Sequence, residues 1–214
     1  MLKLYNYYRS SASFRVRIAL NLKGLLYEEI PVHLVQNGGE QHAPEFQAIN
    51  PQALVPVLRD GDKMISQSLA IIEYLEDMHP APSLLPMDIY QKALARSFAL
   101  IIATDTHPLN NLRVLKYLTH ELGLSEEKKN QWYQHWIEKG LSALEKNLSA
   151  SKYIGQYCFG NQPTIADIFL VPQLFNARRF GCDISAYPTL IRIDAHCQEQ
   201  LAFQAAWPEE KTTA

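Results

Sequence analysis

The sequence predicts two units of different class, a small α/β unit built on a mixed sheet followed by an all-helical one. Three observations point there. Through residues 1–80 short β-type runs alternate with helical ones; beyond Pro86 the strand signals fade and apolar residues recur at helical spacing; and Pro80, Pro82 and Pro86 crowd the stretch between. Prolines so dense suit neither a helix interior nor a central strand. The expected division is therefore 1–80, a Pro-rich linker at 81–87, and 88–214.

Each element has its own signal. Lys3 to Tyr7 reads as a strand, and Ser13 to Lys23 as a helix stopped by Gly24. Tyr27 to Leu34 is a second strand, followed by a polar loop with Asn37-Gly38-Gly39 and a short helical piece at Pro44 to Ala48. Val55 to Leu58 and Met64-Ile65, joined across Asp60-Gly61, form a hairpin. Ser68 then caps a helix running to about Met78. A helix-length crossover between the first two strands requires them to be parallel. In the second unit helices are expected over Tyr90 to Leu122, Glu126 to Leu148, Thr164 to Phe180 and Leu190 to Leu201. Thr164-x-x-Asp167 ahead of Ile168-Phe169-Leu170-Val171 is a capping box, a feature of fold rather than chemistry.

Composition narrows the function classes. Lys plus Arg total 20 against Asp plus Glu 22, and the pI is near 6.4, so no positive field exists to hold a nucleic-acid backbone. Cys158, Cys182 and Cys197 are odd in number and lack Cys-x-x-Cys spacing, which suggests neither a disulfide framework nor a metal site and fits a reducing cytosol. Polar residues and Arg9 interrupt the N-terminus before a signal-peptide run is reached, and no apolar stretch approaches the roughly 20 residues that cross a bilayer. Neither export nor membrane insertion is expected.

Two strand-to-helix junctions could carry chemistry. Arg9-Ser10-Ser11-Ala12-Ser13 puts hydroxyls where free backbone N–H groups and the positive end of a helix dipole favour an anion, a thiolate or a carboxylate; equally, one serine can simply cap the helix. Gln67-Ser68 repeats the arrangement for a second anionic group, with the same capping alternative. Val55-Pro56 would present the Val55 amide and carbonyl to an extended peptide ligand if the bond were cis. In the helical half His107 and Asn111 stand four apart, on one face of an expected helix that Pro108 kinks, with Arg113 beyond. Arg178-Arg179 offers guanidinium groups able to grip a carboxylate, or else an ordinary solvated face.

These residues carry a resemblance. Arg9-Ser10-Ser11, Arg15-Val16-Arg17-Ile18-Ala19-Leu20, Leu22-Lys23-Gly24, Asn50-Pro51, Val55-Pro56, Gln67 to Leu75, Leu84-Leu85-Pro86 and Thr164-x-Ala166-Asp167 with Leu170-Val171-Pro172-Gln173 resemble, in order and spacing, the zeta-class glutathione transferases, the maleylacetoacetate isomerases. The resemblance implies a thioredoxin-like first domain (βαβαββα) that binds glutathione, an all-helical second domain completing the pocket for a small dicarboxylic acid, and a cytoplasmic homodimer. It further implies that Ser10 and Ser11 hydrogen-bond the glutathione sulfur, that Val55, Gln67 and Ser68 hold its peptide backbone and γ-glutamyl end, and that Gln41 is a further contact. Arg9 and Arg179 would anchor the substrate's carboxylates, assisted by His107, Asn111 and Arg113. The implied reaction is glutathione-dependent cis–trans isomerisation of maleylacetoacetate. Maleylpyruvate is the alternative substrate suggested by His107, Asn111 and Arg113, and general glutathione transfer or a noncatalytic binding module are the remaining alternatives. Ala12 stands where the family usually has cysteine, which leaves no protein thiol at that position.

Overall fold

The computed structural model describes residues 1–209 and forms two compact units, Met1–Ser83 with residues 200–209, and Leu84–Glu199. In the first unit β1 (Leu2–Asn6), β2 (Tyr27–Pro31), β3 (Val57–Asp60) and β4 (Lys63–Ser66) form one sheet in the order β2-β1-β3-β4. β1 and β2 are parallel and the other pairs antiparallel. Strand alternation divides the apolar side chains between two faces. Leu2, Leu4 and Leu58 pack with Val16 and Leu20 of α1 (Ser11–Leu22) and with Ile71 and Leu75 of α3 (Ser68–Met78). Val57, Val55, Tyr7 and Val32 gather with Phe46 of α2 (Pro44–Ile49).

α1 is buried along its whole face-to-face width from Ser11 to Leu20, its two arginines included. It ends as glycine endings do: Gly24 sits at φ +65°, and the Leu25 N–H donates to Leu20 O at 3.0 Å. Lys23, at this terminus, donates to the Glu76 carboxylate at 2.7 Å and to the carbonyls of His79 and Pro82 at 2.6 and 3.0 Å. One buried ammonium thus ties the end of α3 to the proline-rich segment.

The chain from Gln200 does not continue the preceding helix, as the expected run Leu190 to Leu201 had it. α8 (Pro188–Gln198) stops, and the short α9 (Leu201–Ala205) belongs with the first unit. There Asn21 Nδ2 donates to Ala202 O at 3.0 Å, Arg17 Nε to Ala206 O at 3.1 Å, and Trp207 meets Phe14 edge to face.

The helical unit contains α4 (Ile89–Leu100), α5 (Leu112–His120), α6 (Glu126–Ser149), α7 (Ile165–Arg179) and α8. The single helix expected over Tyr90 to Leu122 is broken. Its ladder widens into a π turn at Ile101–Thr106, with the His107 N–H reaching Ile102 O at 2.8 Å, then tightens into a 3₁₀ turn at Pro108–Asn110. Pro108 has no N–H to continue the ladder. α6 passes this π turn closely, and a Cβ on Gly140 would collide with the Thr106 hydroxyl. No helix among the described residues is long and apolar enough to cross a membrane.

The capping box forms as expected. Asp167 accepts from the Thr164 N–H at 2.8 Å and hydroxyl at 2.9 Å, and from the Cys158 N–H at 2.8 Å. Asp167→Asn presents an amide donor to groups that are themselves donors, so the unfolding free energy in urea should drop by about 3 kcal/mol. Full burial raises the Asp167 carboxyl pKa against the pull of its Cys158 and Thr164 donors. The folded chain therefore holds that proton more tightly than the unfolded one. The carboxyl's contribution to stability is greatest below the unfolded pKa and declines as pH rises through the folded one, a slope the Asn variant should lack.

Candidate active site

Topology brings four separate segments to one edge of the sheet. β1 runs towards Asn6 and delivers Arg9, Ser10 and α1; β2, parallel to it, delivers the loop that carries Gln41. β3 is antiparallel, so its start, Val55-Pro56, lies at the same edge, and β4 runs back to deliver Gln67 and α3. The Val55-Pro56 bond is cis. Two helix N-termini thus face the same edge, each with first-turn N–H groups unused by the helix itself.

At the first junction Ser10 is the N-cap of α1, its oxygen accepting from the Ser13 N–H at 3.2 Å, and Ser11 is the first helical residue, buried at 4% exposure. The capping reading thus holds for Ser10. Arg9 is exposed, its guanidinium 5.0 Å from the Tyr8 ring centroid. The Ser13 hydroxyl is buried with no hydrogen-bond partner among the described residues, a cost the fold carries beside the site. At the second junction the expectation for Ser68 is corrected. Gln67 is the N-cap, at φ +71°, and Ser68 is the first residue inside the helix. Gln67 makes no side-chain cap to α3; its Nε2 donates instead to Gln52 Oε1 at 2.9 Å. The Ser68 hydroxyl accepts from Arg15 Nη1 at 3.3 Å.

Gln41 is buried in a loop whose organiser the sequence did not disclose. His33 Nδ1 accepts from the Val35 and Gln36 N–H groups at 3.2 and 2.8 Å, the His33 N–H donates to Glu40 at 2.6 Å, and the ring meets Tyr7 edge to face. A histidine at a strand end has no spacing that announces such a role.

In the helical unit, the shared helical face expected for His107 and Asn111 does not exist, because the chain between them is a 3₁₀ turn and Asn111 is extended (ψ 147°). Asn111 is the N-cap of α5, accepting from the Arg113 N–H at 3.1 Å, and the Arg113 side chain is exposed. One turn of α6 holds this segment and the end of α7 together. Trp132 donates to Leu109 O at 2.9 Å and Asn110 to Tyr133 O at 3.1 Å; on the other side Gln134 donates to Phe180 O at 3.1 Å and the Tyr133 ring stacks on Phe180 at 3.7 Å. The paired arginines separate. Arg178 binds the buried Asp194 carboxylate at 2.6 Å, whereas the exposed Arg179 guanidinium lies 4.9 Å from the Phe180 ring centroid. Of the two, Arg179 is the one not committed to a carboxylate among the described residues.

Both units match family models, "Glutathione S-transferase, N-terminal domain" over residues 4–83 and "Glutathione S-transferase, C-terminal domain" over 130–181. The "Probable maleylacetoacetate isomerase" of Vibrio cholerae is 51% identical over 99% of this chain and 97% of its own. A holo structure of a maleylpyruvate isomerase, described as a bacterial zeta-class glutathione S-transferase, superposes with a TM-score of 0.95 at 45% identity, covering 99% of this chain and all of that one. The maleylacetoacetate isomerase of Methylobacterium extorquens AM1, solved with malonate and GSH bound, gives 0.94 at 41% identity, again over 99% and 100%. The chain belongs to the zeta-class glutathione transferases, the family of the maleylacetoacetate isomerases.

Proposed function

We propose that the protein is a glutathione-dependent cis–trans isomerase of a conjugated cis-dicarboxylic acid, with maleylacetoacetate as its substrate. The observation that carries this is the meeting of Ser10-Ser11, Val55 and Gln67-Ser68 at one sheet edge under two helix N-termini. Such an edge suits a peptide with an acidic sulfur at one place and a carboxylate at another, and glutathione has both. When bound, glutathione supplies a nucleophilic sulfur that adds reversibly to an activated double bond and so permits rotation about it. The chain's part is to keep that sulfur ionised and the substrate oriented. The Ser11 hydroxyl and the first-turn N–H groups of α1 donate to the sulfur, with Ser10 beside them, and lower its proton affinity. Val55 offers backbone groups to the peptide, and Gln67 and Ser68, with the start of α3, receive the γ-glutamyl carboxylate. Arg9 and Arg179 take the substrate's carboxylates, with His107, Asn111 and Arg113 assisting at one end. Ala12 supplies no thiol, so the chemistry relies on the sulfur of glutathione. A cytoplasmic homodimer, as in the family resemblance, completes the proposal.

Maleylpyruvate is the second reading, favoured by the holo maleylpyruvate isomerase as a structural neighbour. Initial rates on both diacids, with and without glutathione, decide. Turnover of maleylacetoacetate that requires glutathione is expected. Faster turnover of maleylpyruvate favours the second reading; turnover of chloro-substituted electrophiles alone favours a general transferase, and failure to bind glutathione-agarose a noncatalytic module.

The loop bearing Gln41 gives a separate test. His33→Leu removes the acceptor for two backbone N–H groups and should weaken glutathione binding about tenfold in calorimetry, whereas His33→Asn, whose Oδ1 can accept in its place, should retain most of the affinity.

A further inference from the structure

Arg15 lies in the second turn of α1 with 1% exposure, among Phe14, Val16 and Ile18, which are wholly buried. Burial pulls its pKa down to about 9, which leaves it a cation at neutral pH. Its Nη1 crosses to the other helix N-terminus of the sheet edge and donates to Ser68 Oγ at 3.3 Å, over 53 residues of sequence. The chemistry of the pair has a direction. A guanidinium only donates, whereas a hydroxyl has one proton and two acceptor lone pairs. Arg15 therefore occupies the acceptor side of Ser68 and turns the hydroxyl proton away from itself, towards another acceptor. Ser68 is the first residue of α3, whose start has no side-chain cap from Gln67, because the Gln67 amide is engaged with Gln52. Polarised from behind by a buried cation, the serine becomes a fixed donor at a helix N-terminus already rich in donors.

We infer that Arg15 is a positioning residue for the cofactor: by holding Ser68 as a hydrogen-bond donor, it sets the affinity and selectivity of the α3 N-terminus for the γ-glutamyl α-carboxylate of glutathione. Arg15 does not touch the ligand. The inference rests on the proposed glutathione site and deepens it, assigning the buried arginine to recognition and not only to packing between α1 and α3.

Calorimetry on the full-length protein tests it with two ligands, glutathione and the analogue lacking only that carboxylate, γ-aminobutyryl-cysteinyl-glycine. Arg15→Gln should weaken glutathione binding about tenfold, the size of one hydrogen bond to a charged group, and change affinity for the analogue by less than about twofold. Ser68→Ala should show the same selectivity, and the double variant should bind glutathione no more weakly than Ser68→Ala alone, the coupling expected when one residue acts through the other. If Arg15→Gln does not fold, Arg15→Lys, which keeps the charge but not the fork of donors, should show a smaller loss of the same selectivity. Equal weakening of both ligands, or independent losses in the double variant, would mean that Arg15 serves packing alone and would overturn the inference. If the wild-type protein binds neither ligand, the glutathione site itself fails and this inference with it; tight wild-type binding of glutathione without selectivity in the variants refutes only the role of Arg15.

Discussion

Ser11→Ala should lower isomerase kcat/KM by about 10²- to 10³-fold, the loss typical of one donor removed from a site that stabilises developing or resident negative charge. Ser11 is the cleaner of the two serines to test. Ser10 caps α1 through its side-chain oxygen, so replacing it removes a helix cap together with any contact to a ligand. Ser11 is the first residue within the helix, where alanine is a good helix former, so its replacement leaves the Ser10 cap of α1 in place. The dissociation constant for glutathione should change by less than about tenfold, because the peptide and carboxylate contacts proposed for Val55, Gln67 and Ser68 are untouched. Steady-state kinetics beside calorimetry separates these effects. A variant that keeps wild-type kcat/KM would remove Ser11 from the chemistry.

Arg17→Met should produce the largest loss of stability, about 3–5 kcal/mol in urea unfolding. The guanidinium donates from Nη1 to Asn6 Oδ1 at 2.7 Å, from Nη2 to Tyr8 O at 3.0 Å and from Nε to Ala206 O at 3.1 Å. Asn6 in turn donates to the Glu29 carboxylate at 2.9 Å. Burial lowers the Arg17 pKa while Glu29 and Tyr27 oppose it, so this is a cation removed from water and compensated inside the fold. Methionine fills a similar volume but leaves three acceptors without a donor. Two consequences reach the site. Tyr8 immediately precedes Arg9 and Ser10, so glutathione affinity should fall with stability, and residues 200–209 lose one of their anchors on α1. Arg17→Lys, which retains the charge and at most part of the network, should lie between.

Much of this was legible in the residues. The alternation of short strands and helices before Pro80 gave the parallel first pair and the hairpin; it is the observed strand order and register that bring Ser10-Ser11, Val55 and Gln67-Ser68 to one edge. The capping box at Thr164 and Asp167 is equally local, since its donors and acceptor lie within one turn. What was not legible depends on contacts between distant segments or on changes of hydrogen-bond ladder. Apolar spacing from Tyr90 to Leu122 stays nearly helical while the ladder passes from α to π to 3₁₀ around Pro108, so periodicity alone merges four pieces into one and lends His107 and Asn111 a shared face they do not have. Ser68 looked like a cap because serine caps helices; the backbone enters α3 one residue earlier, and the hydroxyl is engaged by Arg15 from another helix. The separation of Arg178 from Arg179 likewise depends on Asp194, a residue of α8 that no spacing rule connects to them.

The thiol of bound glutathione offers the most direct test of the central claim, that the start of α1 with Ser11 holds sulfur as its anion. Its ionisation in the complex can be followed by ultraviolet difference absorbance across a pH titration, with wild-type protein and Ser11→Ala in parallel. The expected result is a wild-type thiol pKa below about 7.5, against roughly 8.5 for an unperturbed thiol, with a return towards the unperturbed value in the variant. A bound thiol that titrates as the free one does, in a complex that otherwise forms normally, would contradict the claim.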